Sequence, residues 1–302
     1  MAAQSLAFGR DVSPLPALLL ATKLSAPAYR DHIVPRPQLR TLLEASPPRT
    51  LTLVEAPAGS SKTTLLSEWA AGLDCCGWVS LDAGDNDPVR FWSYVAEALQ
   101  RVAPGVGTAA LLLLGAARTS VAREVLPVLI NDLAEWNARM VVVLDDYHVV
   151  TNREIHEQMT LLLDHLPRAA HLVIASRTEP PLPLPRMRAR GQVLEIRSID
   201  LQFTRDEAVT LLNDLLGLGL SDQDVARLYG RTEGWAPVCT WRRSRCAGGR
   251  TLASSSRRSP VTTGTSSTTS AGRCSAVSPR LSGRSSCAPQ SWSAFAVRCA
   301  MP

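Results

Sequence analysis

Two stretches of this chain carry residue types that could handle a charged ligand. The first runs from the apolar, β-branched segment Leu51–Glu55 through Ala56, Pro57, Ala58, Gly59, Ser60 and Ser61 into Lys62, Thr63 and Thr64. Strand, small-residue loop and helix opening on Lys-Thr is the layout of a phosphate-binding loop. Its backbone N–H groups and the positive end of the helix dipole point at anionic oxygens. Lys62 would reach the outer phosphates, and the Thr63 hydroxyl would join a Mg²⁺ shell. Ala58, Gly59, Ser60, Ser61 and Thr64 complete the candidate cradle. The consensus spacing G-x-x-x-x-G-K-[ST] is met with Ala56 and Ser61 in the two glycine places. Ser61 is the larger departure, because glycine there lets the backbone wrap closely on the ligand.

The second stretch is Met140–Asp146, an apolar run ending in two carboxylates about 80 residues further on. A buried strand that delivers Asp at its C-terminal end is how such folds hold Mg²⁺ beside the loop. Asp145 is the candidate metal-side acid, and Asp146 the candidate for orienting an attacking water. Arg177 directly follows another apolar run, His171–Ser176. It is placed to contact a terminal phosphate and report its loss. His148 has no neighbours at metal-ligand spacing and reads as structural.

These residues need a scaffold with all their strand tips at one edge. Short runs at Leu51–Glu55, Gly77–Leu81, Met140–Leu144, His171–Ala175 and Val193–Ile196 predict strands. Helices are predicted at Pro37–Leu43, Pro88–Val102, Ser120–Asn137 and Ile155–Leu166. Thr204 with Glu207 three residues later forms a capping box ahead of Ala208–Leu216, and a last short helix, Asp222–Tyr229, ends at Gly230. Strands alternating with helices predict an α/β fold with a parallel sheet covered on both faces. The division expected is an irregular segment over 1–30, a nucleotide-binding core over 31–200, the start of a helical lid over 201–236, and a tail over 237–302.

Composition narrows the class. The 302 residues carry 32 Lys+Arg against 27 Asp+Glu, yet that average joins two unlike parts. Residues 237–302 hold ten Arg, fifteen Ser and no Lys, Asp or Glu, whereas residues 1–236 carry a net charge of −5. No apolar run approaches the ~18–20 residues of a membrane-spanning helix, and no basic n-region leads into an apolar stretch at the start. A cytoplasmic protein is the expectation. Five of the seven Cys lie in the tail at irregular spacing, which argues against zinc and disulfide frameworks. Adjacent Cys75 and Cys76 read as buried thiols.

Several segments taken together resemble a known family: Ala21-Thr22-Lys23-Leu24, Val34-Pro35-Arg36-Pro37, APAGSSKTTLLSEW, WVSLDAGDNDPVRFW, VLDDYH, ASRTEPPLPLPRMRARG and TEGW. In this order, from about residue 20 to residue 236, they are similar to the N-terminal region of the large ATP-dependent LuxR-type transcriptional regulators. These are the MalT-like members of the STAND class of P-loop NTPases, within the wider AAA-like group. The resemblance implies a switch in which ATP with Mg²⁺ favours a self-associating state and ADP holds the protein off. It implies phosphate and Mg²⁺ contacts by Lys62 and Thr63, Mg²⁺-side and hydrolytic roles for Asp145 and Asp146, and a sensor role for Arg177. It also places Val34 and Arg36 near the adenine. At most slow hydrolysis is implied. Full members continue into a sensor-repeat region and a DNA-binding helix-turn-helix that this chain lacks, so no sequence-specific DNA binding is expected of it.

The resemblance stops where the charge changes sign. One reading of residues 237–302 is a basic, disordered arm that binds nucleic acid, with the sheet only a scaffold. The other is a slip of reading frame. With two Lys against thirty Arg, the coding is GC-rich. Reading the codons of residues 261–270 one base out of register turns VTTGTSSTTS into DHRHVVDYL. Applied from residue 236 onward, the same shift restores acidic residues and helical spacing. On this reading the tail was never selected to pack and is expected to be disordered.

Overall fold

The computed structural model describes residues 19–28, 33–44, 49–116, 119–232 and 234. Residues 237–302, where the two readings of the tail apply, lie outside them, as do Trp235 and Ala236. The five apolar runs form strands β1 (Leu51–Glu55), β2 (Cys76–Ser80), β3 (Met140–Asp145), β4 (Ala170–Ser176) and β5 (Val193–Arg197). All pair in parallel, in the order β2-β3-β4-β1-β5. Parallel neighbours need crossover connections, which the intervening helices supply. They are α1 (Pro37–Glu44), α2 (Lys62–Ala70), α3 (Pro88–Val102), α4 (Thr108–Leu114), α5 (Leu126–Glu135), α6 (Arg153–His165), α7 (Leu184–Ala189), α8 (Arg205–Val209) and α9 (Asp222–Thr232).

Burial follows from this order. Every residue of β3 and β4 is buried, while the edge strands β2 and β5 expose one or both ends. That is why Met140–Leu144 is an uninterrupted apolar run rather than an alternating one. Side chains still alternate between two layers. Leu51, Leu53, Val142, Leu144, Leu172 and Ile174 pack under α3 to α6. Val54, Val141, Val143, Val173, Ala175 and Ile196 pack under α1 and α2. A separate cluster unites Val34 with Phe203, Ala208, Leu211, Leu212 and Val225 in the helical lid. Among the described residues no helix is long and apolar enough to cross a membrane.

Several expectations are corrected. The predicted helix Ser120–Asn137 divides into a π-helical turn at Val121–Val125 followed by α5, with Pro127 at the start of the latter. Proline has no N–H to continue the ladder, so the register changes there. The last helix passes through Gly230 to Thr232, an interior glycine that costs about 1 kcal/mol relative to Ala and is tolerated. The segment after residue 19 is not wholly irregular, since Ala21–Leu24 forms a 3-10 turn with Lys23 and Leu24 buried. Cys75 and Cys76 are half-buried rather than buried. Burial still pushes the Cys76 thiol up to about 12, so it is an unreactive thiol rather than a nucleophile. The capping box at Thr204 and Glu207 forms as expected. Gly234 closes the lid. Its N–Cα–C stretch adopts φ 71° and its carbonyl accepts from Phe203 N at 2.9 Å. A Cβ there would lie 2.4 Å from the Phe203 carbonyl oxygen, so only glycine fits.

His171 ties β4 to β1. Its Nδ1 faces the Arg49 carbonyl at 2.6 Å and its Nε2 faces the Thr52 hydroxyl at 3.0 Å. A carbonyl only accepts, so Nδ1 carries the proton and Nε2 accepts from Thr52. Burial holds His171, His156 and His148 below the ordinary histidine value of 6.5. The native state therefore binds fewer protons than the unfolded chain just below that pH, and stability falls as pH drops through it. The urea midpoint should be lower at pH 5.5 than at pH 7.5, and His171→Asn should flatten the difference; an unchanged midpoint would refute the assignment.

Candidate functional site

The three candidate segments meet because of strand order. β4 lies between β1 and β3, and its register pairs Glu55 with Ser176 and Leu144 with Ile174. The tips carrying the Ala56–Ser61 loop, Arg177 and the Asp145-Asp146 pair therefore leave the sheet at the same edge. Open α/β sheets bind their ligands at this C-terminal edge.

The loop is anchored by Ala56 N, which donates to Ser176 O at 3.2 Å. Gly59 turns it with φ 78° and Ser61 with φ 61°, ψ 23°. Ser61 thus adopts the left-handed conformation that the consensus glycine would supply. A non-glycine residue held there costs roughly 1–2 kcal/mol, against roughly 0.5–1 kcal/mol for glycine's greater freedom when unfolded. Ser61→Gly is accordingly expected to stabilise the chain by about 0.5–1 kcal/mol, read as a higher urea midpoint at unchanged slope. A lower midpoint would show that the serine side chain contributes more than its backbone costs.

No side chain caps the start of α2, so its first N–H groups keep their capacity to donate to an anion. Ser60 is buried and its Oγ has no hydrogen-bond partner, an orphaned polar atom within the loop. Lys62 is also buried, and it folds back to donate to the carbonyls of Ala56 at 2.6 Å and Pro57 at 3.0 Å. The expected outward reach of Lys62 is thus replaced here by a bond to its own loop, since a buried ammonium must find acceptors. Burial lowers its pKa; Asp146 and Asp145 oppose the shift and Arg177 adds to it. Thr64 is exposed on the first turn and Ala58 half-buried on the loop.

Thr63 Oγ1 donates to Asp145 Oδ2 at 2.8 Å, a contact between residues 82 apart. Asp145 is nearly fully buried, and burial raises its pKa. The Thr63 hydrogen bond opposes this shift, while the Asp146 charge adds to it. Asp146 follows in the left-handed region at φ 57°, a conformation in which Asp is enriched. Its carboxylate is half-exposed, whereas that of Asp145 is buried. Arg177 is exposed, and among the described residues it has no carboxylate partner. Its charge is felt by Lys62 and His148.

His148 lies beside Asp146. Its Nδ1 is buried without a hydrogen-bond partner, 3.7 Å from Asp146 Oδ1. Burial first, then Arg177, lowers its pKa, while Asp146 opposes. The available signal was its position two residues after Asp146 rather than any metal-ligand spacing. Val34 and Arg36 pack with the lid. Val34 is buried in the lid cluster. Arg36 donates to the carbonyls of Leu201 at 2.8 Å and Gln202 at 2.7 Å, pairs with Glu207 at 3.3 Å, and lies over the Phe203 ring.

The donor set suits a nucleotide phosphate with Mg²⁺. Mg²⁺ needs only one or two protein oxygens beside phosphate and water, and Thr63 and Asp145 present that pair. Among the described residues no cluster of three or more His, Cys, Asp or Glu is arranged to hold a metal alone.

Comparison with known proteins agrees with this geometry. No family model matches the chain. Over 219 residues, 72% of the chain, it is 38% identical to the HTH-type transcriptional regulator MalT of Serratia proteamaculans. It spans 24% of that relative's length. Its fold is similar to that of a STAND protein with a tetratricopeptide repeat sensor from Pyrococcus horikoshii. There the TM-score is 0.53 at 15% identity, covering 69% of this chain and 29% of the other. The chain thus belongs to the MalT-like family of regulators, and its matched residues are built on the parallel α/β fold that it shares with that STAND protein.

Proposed function

We propose that this chain is the ATP-binding switch module of a LuxR-type transcriptional regulator. The observation that carries this reading is the bond between Thr63 and Asp145, which joins the phosphate loop to the acidic strand tip. Beside it stand uncapped helix N–H groups, an unpartnered Ser60 hydroxyl and an unpaired Arg177. The loop and the N-terminus of α2 would bind the β- and γ-phosphates, with Lys62 exchanging its loop carbonyls for phosphate oxygens. Thr63 and Asp145 would hold Mg²⁺, which supplies charge neutralisation on the phosphates when bound. Asp146, with His148 behind it, orients water, and Arg177 reads the terminal phosphate. Val34 and the lid it packs against form the adenine side. The donors of Arg36 are engaged by the lid, so its part is to hold that wall in place.

Slow hydrolysis suits a switch, and Asp146 is a shorter arm than glutamate for presenting water. Self-association in the ATP state belongs to the intact regulator. The charge change and the acidic, helical text recovered one base out of frame support residues 237–302 being out of frame, which sequencing the coding DNA from independent clones tests. Calorimetric titration of the 302-residue chain with ATP and ADP tests the module itself. ATP binding should require Mg²⁺ for full affinity; a chain that binds neither nucleotide would overturn the proposal.

A further inference from the structure

The turn that carries Asp146 is not held by the sheet alone. After β3, residues Tyr147–Val149 form a 3-10 turn closed by Val149 N donating to Asp146 O at 3.1 Å. The far end of this turn is fastened by one side chain, Asn86. Its Oδ1 accepts from Thr151 N at 2.6 Å and Asn152 N at 3.1 Å. Its Nδ2 donates to Val149 O at 2.9 Å, and its own carbonyl accepts from Asn152 Nδ2 at 2.9 Å. A carboxamide offers two acceptor sites and two donors. Here both ends bind the same short segment, from the Asp146 turn to the N-cap of α6.

Asn86 is in turn set by its neighbour. Asp85 is fully buried and accepts from Lys23 Nζ, from Arg90 Nε at 3.1 Å and from Asp82 N at 2.8 Å. Lys23 comes from the 3-10 turn at Ala21–Leu24, is itself buried, and lies 4.4 Å from the Tyr94 ring centre. Buried charges of this kind are tolerated only when paired, so the geometry of the 82–86 loop depends on Lys23 remaining in place. The sequence block LDAGDND thus connects two remote places: the N-terminal segment through Asp85, and the segment after the acidic strand tip through Asn86.

We propose that Asn86 is a positioning residue that sets the Asp146 turn, and that Lys23 and Asp85 couple this setting to the placement of the N-terminal segment. This rests on the reading of Asp146 as part of the nucleotide site. A shift of the segment around residue 23 would loosen the 82–86 loop and with it the turn, giving the rest of a regulator a mechanical route to the water-orienting carboxylate.

Amide hydrogen exchange of the 302-residue chain, combined with ATP and ADP titration, tests the proposal. Asn86→Ala should speed exchange across residues 147–152 at least tenfold and leave α2 unchanged. ADP affinity should stay within about twofold, and the ratio of ATP to ADP affinity should shift. Asn86→Asp keeps the acceptor for Thr151 and Asn152 but loses the bond to Val149, so it should fall between wild type and Asn86→Ala. It serves if the alanine variant does not fold. Lys23→Met should speed exchange in residues 82–87 and 147–152 together. Faster exchange confined to Thr151 and Asn152 in the Asn86 variants would reduce Asn86 to a local cap and overturn the positioning role. A response to Lys23→Met confined to 82–87 would overturn the coupling. Failure of the wild-type chain to bind either nucleotide would instead strike the parent reading, while the exchange pattern still decides the mechanical link.

Discussion

Lys62→Ala should weaken ATP binding by roughly a hundredfold or more. The lysine would replace its two carbonyl contacts by two charge-assisted bonds to phosphate, and such bonds contribute roughly 1.5–3 kcal/mol each. Part of that is offset by the bonds to Ala56 and Pro57 that must break first, leaving about 3 kcal/mol, or two orders of magnitude. Removing the side chain also leaves the buried Ala56 carbonyl without its partner, so a modest loss of stability accompanies the loss of affinity. Near-UV circular dichroism separates the two, because a folded variant keeps its tryptophan signals. An affinity within twofold of wild type would mean that Lys62 stays on its loop carbonyls in every state, and the loop would then be a scaffold.

The second large effect is expected at Arg36. Arg36→Ala removes a guanidinium that bonds two carbonyls of the 200–202 turn and pairs with Glu207. Arg36 is itself buried, but the Glu207 side chain is 18% exposed and also accepts from Thr204 N. The carboxylate is therefore not stranded, and the cost is about 2–3 kcal/mol rather than the larger penalty of a fully buried orphan. The loss should be local. Limited proteolysis should cut within residues 198–204 several times faster, while β1 to β4 keep their exchange protection. Arg36→Lys should not restore it, because an ammonium cannot bond the turn carbonyls and the carboxylate in the same fork. Unchanged cleavage in the alanine variant would show that the apolar cluster around Val34 holds the lid unaided.

These two residues also show how far local reasoning reached. The loop ahead of Lys62 was legible because it is contiguous in the chain. Strand, small residues and Lys-Thr signal each other within a dozen positions. The strands were legible for the same reason, with edges one residue out at β2, β3, β4 and β5, where pairing rather than side-chain type ends the ladder. Arg36 could only be placed near the nucleotide through a family likeness, since its partners lie more than 160 residues away. That His148 Nδ1 lies beside Asp146 without a hydrogen bond is a property of packing, which no spacing in the chain reports. Asn86 lay inside one of the segments that carry the family likeness, but its role had no local signal: most of its partners are backbone groups at residues 149–152, and backbone groups have no residue identity to recognise.

Residue order alone establishes an α/β sheet, a small-residue loop ahead of Lys62 and an acidic strand end at Asp145, because each depends on neighbours within a few positions. Strand order, which puts β4 and Arg177 between the loop and the carboxylates, arises only when the chain folds. So do the folding back of Lys62, the left-handed turn at Ser61 and the wiring of Lys23 through Asn86 to the Asp146 turn. The difference is one of range. Periodicity and turn chemistry act within a helix turn or a strand, whereas burial and hydrogen-bond satisfaction are settled by whichever distant groups the fold brings close enough to answer them.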